Sequence, residues 1–174
     1  GHLEVGEMAP MSGTLYRMGT HGSLASALLT VISDKYRKSS NQLEFISDLQ
    51  SDLAEYLTKK KYAKYFTGDR TADLERLVTS GLDESYLAFL SDLYKIDIII
   101  INCLKRVESI NGKKDDFSVN HNLAVLLYCQ ENHYEAIIRV QKDVPCDTGD
   151  ETMTRYALPT YDFRVNHLLT FKSL

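Results

Sequence analysis

Leu87-Ala88-Phe89-Leu90-Ser91-Asp92-Leu93-Tyr94-Lys95-Ile96-Asp97-Ile98-Ile99-Ile100-Ile101-Asn102 is where the chain changes period. From about Asp83 to Tyr94 the apolar residues Tyr86, Leu87, Leu90 and Leu93 recur at helical spacing. From Ile96 they are β-branched and, after Asp97, contiguous through Ile101, which predicts a strand buried on both faces. Upstream of this junction the patterned segments are helical. Downstream they are strands. Helices first and a small sheet second predict an α+β fold around one core.

Working upstream, Ser23 to about Tyr36 reads as one helix with Leu24, Ala27, Leu28, Val31 and Ile32 on a single face. Lys35, Arg37 and Lys38 complement its negative end. A second helix, about 41 to 59, carries Leu43, Ile46, Leu49, Leu53, Tyr56 and Leu57 on one side. Lys59-Lys60-Lys61 reads as its solvated end. Thr71 to Thr79 is a short helix bearing Leu74, Leu77 and Val78.

Downstream, Asn111 to Asp116 is a turn or flexible loop, and Leu123–Cys129 and Tyr134–Val140 are strands. The four residues between the last two fit a hairpin. In the tail from Lys142, Val165, Leu168, Leu169 and Phe171 are placed to pack back. Residues 1–14 read as a loose leader with Pro10 and Gly13, its first residues a cloning remnant, and 15–174 as a single domain.

Hydrophobic residues make up 44% of the 174 and charged residues 25%, a globular balance. A net charge of −4 lacks the basic excess of a general nucleic-acid binder. No apolar run approaches the roughly 20 residues of a membrane span, and the start lacks a secretory pattern. Cys103, Cys129 and Cys146 are too few and too odd for a disulfide framework, so a reducing, cytoplasmic setting is expected. Cys129 and His133 have no second ligand pair, so no metal is expected.

Two segments about 110 residues apart carry candidate chemistry. Gly19-Thr20-His21-Gly22-Ser23-Leu24 runs from a loop into a helix, and Asn132-His133-Tyr134-Glu135 opens a strand. A nucleophile at a helix start and a His at a strand edge suit a papain-like hydrolase, provided that they meet in space. Ser23 would be the nucleophile and His133 the base. Glu135, two residues on along a strand, shares a side with His133 and could fix its tautomer. The backbone N–H groups of Thr20, His21 and Gly22 would hold the oxyanion. Asn120 and Asn132 are further candidate orienters of the ring. The plainer alternatives are that Ser23 is a helix N-cap and His133 a polar turn residue.

The order of these segments resembles the ovarian-tumour (OTU) family of cysteine deubiquitinases over about residues 15 to 140. The family motif Asp-Gly-x-Cys-Leu-aromatic-x-Ala aligns on Thr20-His21-Gly22-Ser23-Leu24-Ala25-Ser26-Ala27. Its second motif, a strand followed by His-aromatic-acid or amide, aligns on Leu126-Leu127-Tyr128 and His133-Tyr134-Glu135. Ser85-Tyr86-Leu87-Ala88-Phe89-Leu90 sits where the family has a helix before its central strand, and the short form looks closest to compact viral domains. The first motif departs at Thr20, His21, Ser23 and Ala25, where the family has Asp, Gly, Cys and an aromatic.

The resemblance implies a papain-type fold, a helical layer on a small sheet with a C-terminal hairpin. It implies ubiquitin or a ubiquitin-like protein as partner, no cofactor, a monomer, and action in the cytoplasm, the host's if viral. Ser in the Cys position implies little or no turnover, because a hydroxyl cannot be held as an anion as a thiol can. Three origins stay open: a Cys→Ser inactivated enzyme, a natural pseudoenzyme that binds ubiquitin or another protein, or a Ser-dependent hydrolase.

Overall fold

The computed structural model describes residues 14–65, 68–104, 107–112, 122–129, 133–140, 153–154 and 172–173. In chain order they form β1 (Thr14–Gly22), α1 (Leu24–Ile32), α2 (Asp34–Lys38), α3 (Gln42–Leu57), a 3-10 turn (Lys60–Tyr65), α4 (Arg70–Ser80), a second 3-10 turn (Glu84–Tyr86) and α5 (Leu87–Tyr94). The strands β2 (Ile96–Asn102), β3 (Val107–Ile110), β4 (Asn122–Cys129), β5 (His133–Val140), β6 (Met153–Thr154) and β7 (Lys172–Ser173) follow. One sheet holds the strands in the order β3-β2-β4-β5-β1-β7, with β6 also on β5. The fold is α+β, and β4 and β5 pair antiparallel from Leu126↔Ala136 to Cys129↔His133.

β2 lies between antiparallel β3 and parallel β4. Its Ile96, Ile98 and Ile100 join Ala124, Leu126, Tyr134 and Ala136 in the core shared with α1, α3 and α5. Ile99 and Ile101 leave the opposite face and are buried too, with Leu127 and Ile137. An unbroken isoleucine run is what a strand covered on both sides requires, at roughly 1.5–3 kcal/mol per fully buried side chain.

Residues 23–36 are not one helix. α1 ends at Ser33, whose backbone is extended (φ −125°, ψ 111°). Its N–H closes α1 on Leu29 O at 2.9 Å, and its hydroxyl accepts from Tyr36 N at 3.1 Å to start α2. All nine residues of α1 are buried, where the spacing predicted one buried face. The helix packs on β1, β4 and β5 as well as on α2, so no side of it meets water.

Three further expectations change. Thr14–Gly22 is a strand, not the end of a leader and a loop, because β5 supplies its ladder from Thr14↔Val140 to Gly22↔Tyr134. β3 forms in a stretch that had looked merely polar, by pairing with β2. Leu43 and Val78, placed on apolar faces, are exposed at 65% and 47%. The sheet is therefore larger than the three strands the pattern marks. Val165, Leu168, Leu169 and Phe171 lie outside the described residues.

The 3-10 turn Lys60–Tyr65 is anchored by rings. Tyr62 and Tyr65 pack edge-on to Phe89, with centroids 5.1 and 5.8 Å away. The Tyr65 hydroxyl donates to Asp92 Oδ2 at 2.7 Å, and Lys95 reaches Oδ1 at 3.1 Å. The Tyr65 hydrogen bond first, then the ammonium groups of Lys95 and Lys64, holds the Asp92 carboxyl below its ordinary value against partial burial. A carboxyl depressed in the fold stabilises it above the unfolded pKa and ceases to as pH falls through the folded one. Asp92→Asn is expected to be less stable than the parent at pH 7, and the gap in denaturant midpoint to close below about pH 4. A gap that stays constant into acid would show that the Asp92 charge contributes nothing.

Candidate active site

β1 ends at Gly22, opposite Tyr134 in the β1–β5 ladder, and Ser23 then caps α1. The ladder shifts register between Met18 and Gly22, which turns the chain off the sheet and into the helix. Gly22 has φ +95°, a conformation in which a side chain is strained. A methyl group built there would stand 2.6 Å from His133 Nδ1 and 3.0 Å from Cε1. Glycine at 22 thus lets the imidazole lie against the backbone next to Ser23. Segments 110 residues apart meet at the corner of β1, α1 and β5.

Ser23 is exposed, with β-region backbone, and its Oγ accepts from Ser26 N at 3.0 Å. The N-cap alternative is therefore satisfied. It does not displace a nucleophilic role, since an oxygen accepting one bond retains its own O–H to donate. His133 is half-exposed and is the first residue of β5, not a turn residue. With Nδ1 toward Gly22, its Nε2 lies 3.7 Å from Glu135 Oε1. That is ion-pair range for a charged ring and too long for a hydrogen bond. Glu135 Oε2 takes the Nε–H of Arg17, across the ladder on β1.

The end of β1 before Ser23 is tied down by hydrogen bonds to side chains and to β5. Thr20 Oγ1 donates to Tyr134 O at 2.5 Å and accepts from Gly22 N at 3.0 Å. His21 N donates to Ser26 Oγ at 2.9 Å, which also receives the hydroxyl of buried Tyr36 at 3.2 Å. Two of the three oxyanion donors named from the sequence, His21 N–H and Gly22 N–H, thus already point at protein acceptors. The His21 ring is engaged with α3, its Nε2 2.7 Å from Gln42 Oε1. Asn120 and Asn132 lie outside the described residues.

Sequence reasoning missed Arg17 and Ser26, whose partners are set by the sheet and by the cap. Cys129 is the ladder partner of His133 and receives Arg17 Nη2 at 3.5 Å. Burial, then Glu135 and Cys103, pushes its thiol up to about 11, so it stays protonated and is no concealed thiolate. Tyr134 packs edge-on to Tyr128 with centroids 5.3 Å apart, and its hydroxyl meets the Glu84 carboxylate. Burial first raises both the Tyr134 hydroxyl and the Glu84 carboxyl above their ordinary values. Among the described residues no three His, Cys, Asp or Glu side chains cluster as a metal site. Nor, among them, is any helix long and apolar enough to cross a membrane.

No family model and no curated protein matches the sequence. Among solved structures the chain is similar to the OTU domain of OTUD1, at 15% identity and a TM-score of 0.49, over 71% of this chain and 85% of that one.

Proposed function

We propose that this chain is an OTU-type isopeptidase domain for ubiquitin or a ubiquitin-like protein, with Ser23 in the place of the nucleophilic Cys. The observation that carries the reading is the His133 ring seated on Gly22 with Nδ1 foremost, beside a hydroxyl at a helix N-terminus. His133 would take the nucleophile's proton through Nδ1 and return it to the leaving lysine amine. The positive end of α1 would favour the charge that develops on the scissile carbonyl. The modifier's extended tail would lie between the Ser23 corner and the β4–β5 hairpin. No cofactor is called for, and the setting is cytosolic with the chain a monomer. The short viral form remains part of this reading.

A second reading, a natural pseudoenzyme that binds without cleaving, is favoured by one observation. The N–H groups of His21 and Gly22 are held by Ser26 and Thr20, where a working oxyanion hole needs free donors. The isopeptidase and the ubiquitin-binding form of the pseudoenzyme both expect the tail to bind, and a pseudoenzyme that docks another protein does not. Adding unlabelled ubiquitin to the isotope-labelled chain should shift the amide signals of Gly22, Ser23 and Tyr134, and ubiquitin lacking its last residues should not. Absence of any shift at millimolar ubiquitin would refute the isopeptidase and leave only a pseudoenzyme that docks another protein. Capture of an electrophilic C-terminal ubiquitin probe by Ser23→Cys, and not by Ser23→Cys with His133→Ala, separates the enzyme from the binding module.

A further inference from the structure

The two oxygens of the Glu135 carboxylate face different groups. Oε2 is taken by Arg17, and Oε1 looks toward His133 Nε2 from 3.7 Å. Arg17 stands opposite Ile137 in the β1–β5 ladder, a diagonal neighbour of Glu135 on the same face of the sheet. Its second nitrogen, Nη2, is fixed on Cys129 Sγ. The Glu135 side chain is 15% exposed and Arg17 35%, so the carboxylate is largely sheltered while the guanidinium stays partly in contact with water. The bond to Glu135 is the largest influence on the guanidinium and strengthens its hold on its proton.

We infer that Arg17 is a positioning residue: by holding Glu135 Oε2 it keeps the carboxylate facing the His133 ring while withholding a full hydrogen bond from Nε2. The significance of this rests on the proposed role of His133 as base, but the geometry does not. A carboxylate bonded directly to Nε2–H would favour the imidazolium, which cannot accept a proton. With its charge balanced by Arg17, Glu135 orients the ring and leaves Nδ1 an acceptor at the Ser23 corner. Among the described residues the groups around the ring are Glu135 on its own strand, Arg17 on β1, Cys129 on β4 with Cys103 beside it, and Gly22 and Ser23. The thiol of Cys129 is neutral, so Arg17 and Glu135 are the charges that act there.

The test is a pH titration of the His133 ring by nitrogen-15 NMR, on the full chain with Ser23 in place and no substrate. Arg17→Met removes the charge and keeps the stem, and the ring midpoint is expected to move upward as Glu135 closes on Nε2. Adding Glu135→Gln should cancel the movement. Arg17→Lys, a charge without the fork, should fall between. A midpoint that stays put in folded Arg17→Met, or moves as far in the double variant, overturns the inference. Should Arg17→Met not fold, Arg17→Lys alone decides. A ring midpoint above the parent's supports the inference, and one that stays put overturns it. In the Ser23→Cys background the acid limb of kcat/KM should follow the ring, with a loss of about tenfold at its acid end for Arg17→Met, the worth of one charge-assisted hydrogen bond. Failure of hydrolysis would count against the isopeptidase reading and leave the titration result standing.

Discussion

Ser23→Cys is expected to turn a nearly silent protein into one that hydrolyses a fluorogenic C-terminal ubiquitin ester or amide at least about a hundredfold faster, the low end of what a positioned acid–base pair contributes. A thiol at 23 would lie at the positive end of α1, one residue after Gly22, on which His133 Nδ1 leans. Both features stabilise a thiolate, which is the reactive form, and neither can hold a serine alkoxide at neutral pH. The control is Ser23→Cys with His133→Ala, which should return to the Ser level. Stability must be followed as well, because Ser23 Oγ caps α1 through Ser26 N and sulfur caps poorly. A loss of about 1 kcal/mol is expected from that alone. Turnover that appears with Cys and vanishes without His133 supports the site. Folded Ser23→Cys with no turnover sinks the isopeptidase reading. Faster turnover by the Ser form than by the Cys form would instead make the chain a serine hydrolase.

What could be read in advance divides by the range of the interaction. β2 was legible because Ile98–Ile101 is an unbroken β-branched run, with Ile96 just beyond Asp97, a pattern that suits a strand covered on both sides. The pairing of β4 with β5 was legible because a hairpin is a local event. β1 was not, since Leu-Tyr-Arg-Met-Gly-Thr has no clean alternation, and its partner β5 lies more than 110 residues on. Arg17 was lost with it: nothing near an arginine in sequence says which carboxylate it will meet across a sheet. The break at Ser33 was hidden for the opposite reason. Its hydroxyl serves a cap that competes with helix continuation, while the apolar spacing runs straight through. Ser23 and His133 could be named as residues, but the closeness of the ring to Gly22 depends on the register of β1 against β5.

Asn111→Ala is expected to cost about 3–4 kcal/mol of stability, the scale of breaking a buried polar network. Asn111-Gly112 had read as the start of a flexible turn, yet Asn111 is 6% exposed. Its Nδ2 donates to Asp97 Oδ1 at 2.6 Å, its Oδ1 accepts from Ile98 N at 2.6 Å, and its own N–H donates to Ile98 O at 2.8 Å. Asp97 is fully buried on β2 amid the isoleucines. Removing the amide deprives a buried carboxyl oxygen and a buried N–H of a partner each, at about 1–3 kcal/mol per group. Asn111 also has φ +53°, a left-handed backbone that Asn tolerates and Ala resists by about 1 kcal/mol. Asn111→Gly separates the two effects, because it relieves the backbone and loses the amide alike. It should therefore be the milder variant by about that 1 kcal/mol. Chemical denaturation of both variants tests this. A loss under about 1 kcal/mol in each would mean that water replaces the amide at no cost, and that the Asp97–Asn111 contact does not hold β3 to β2.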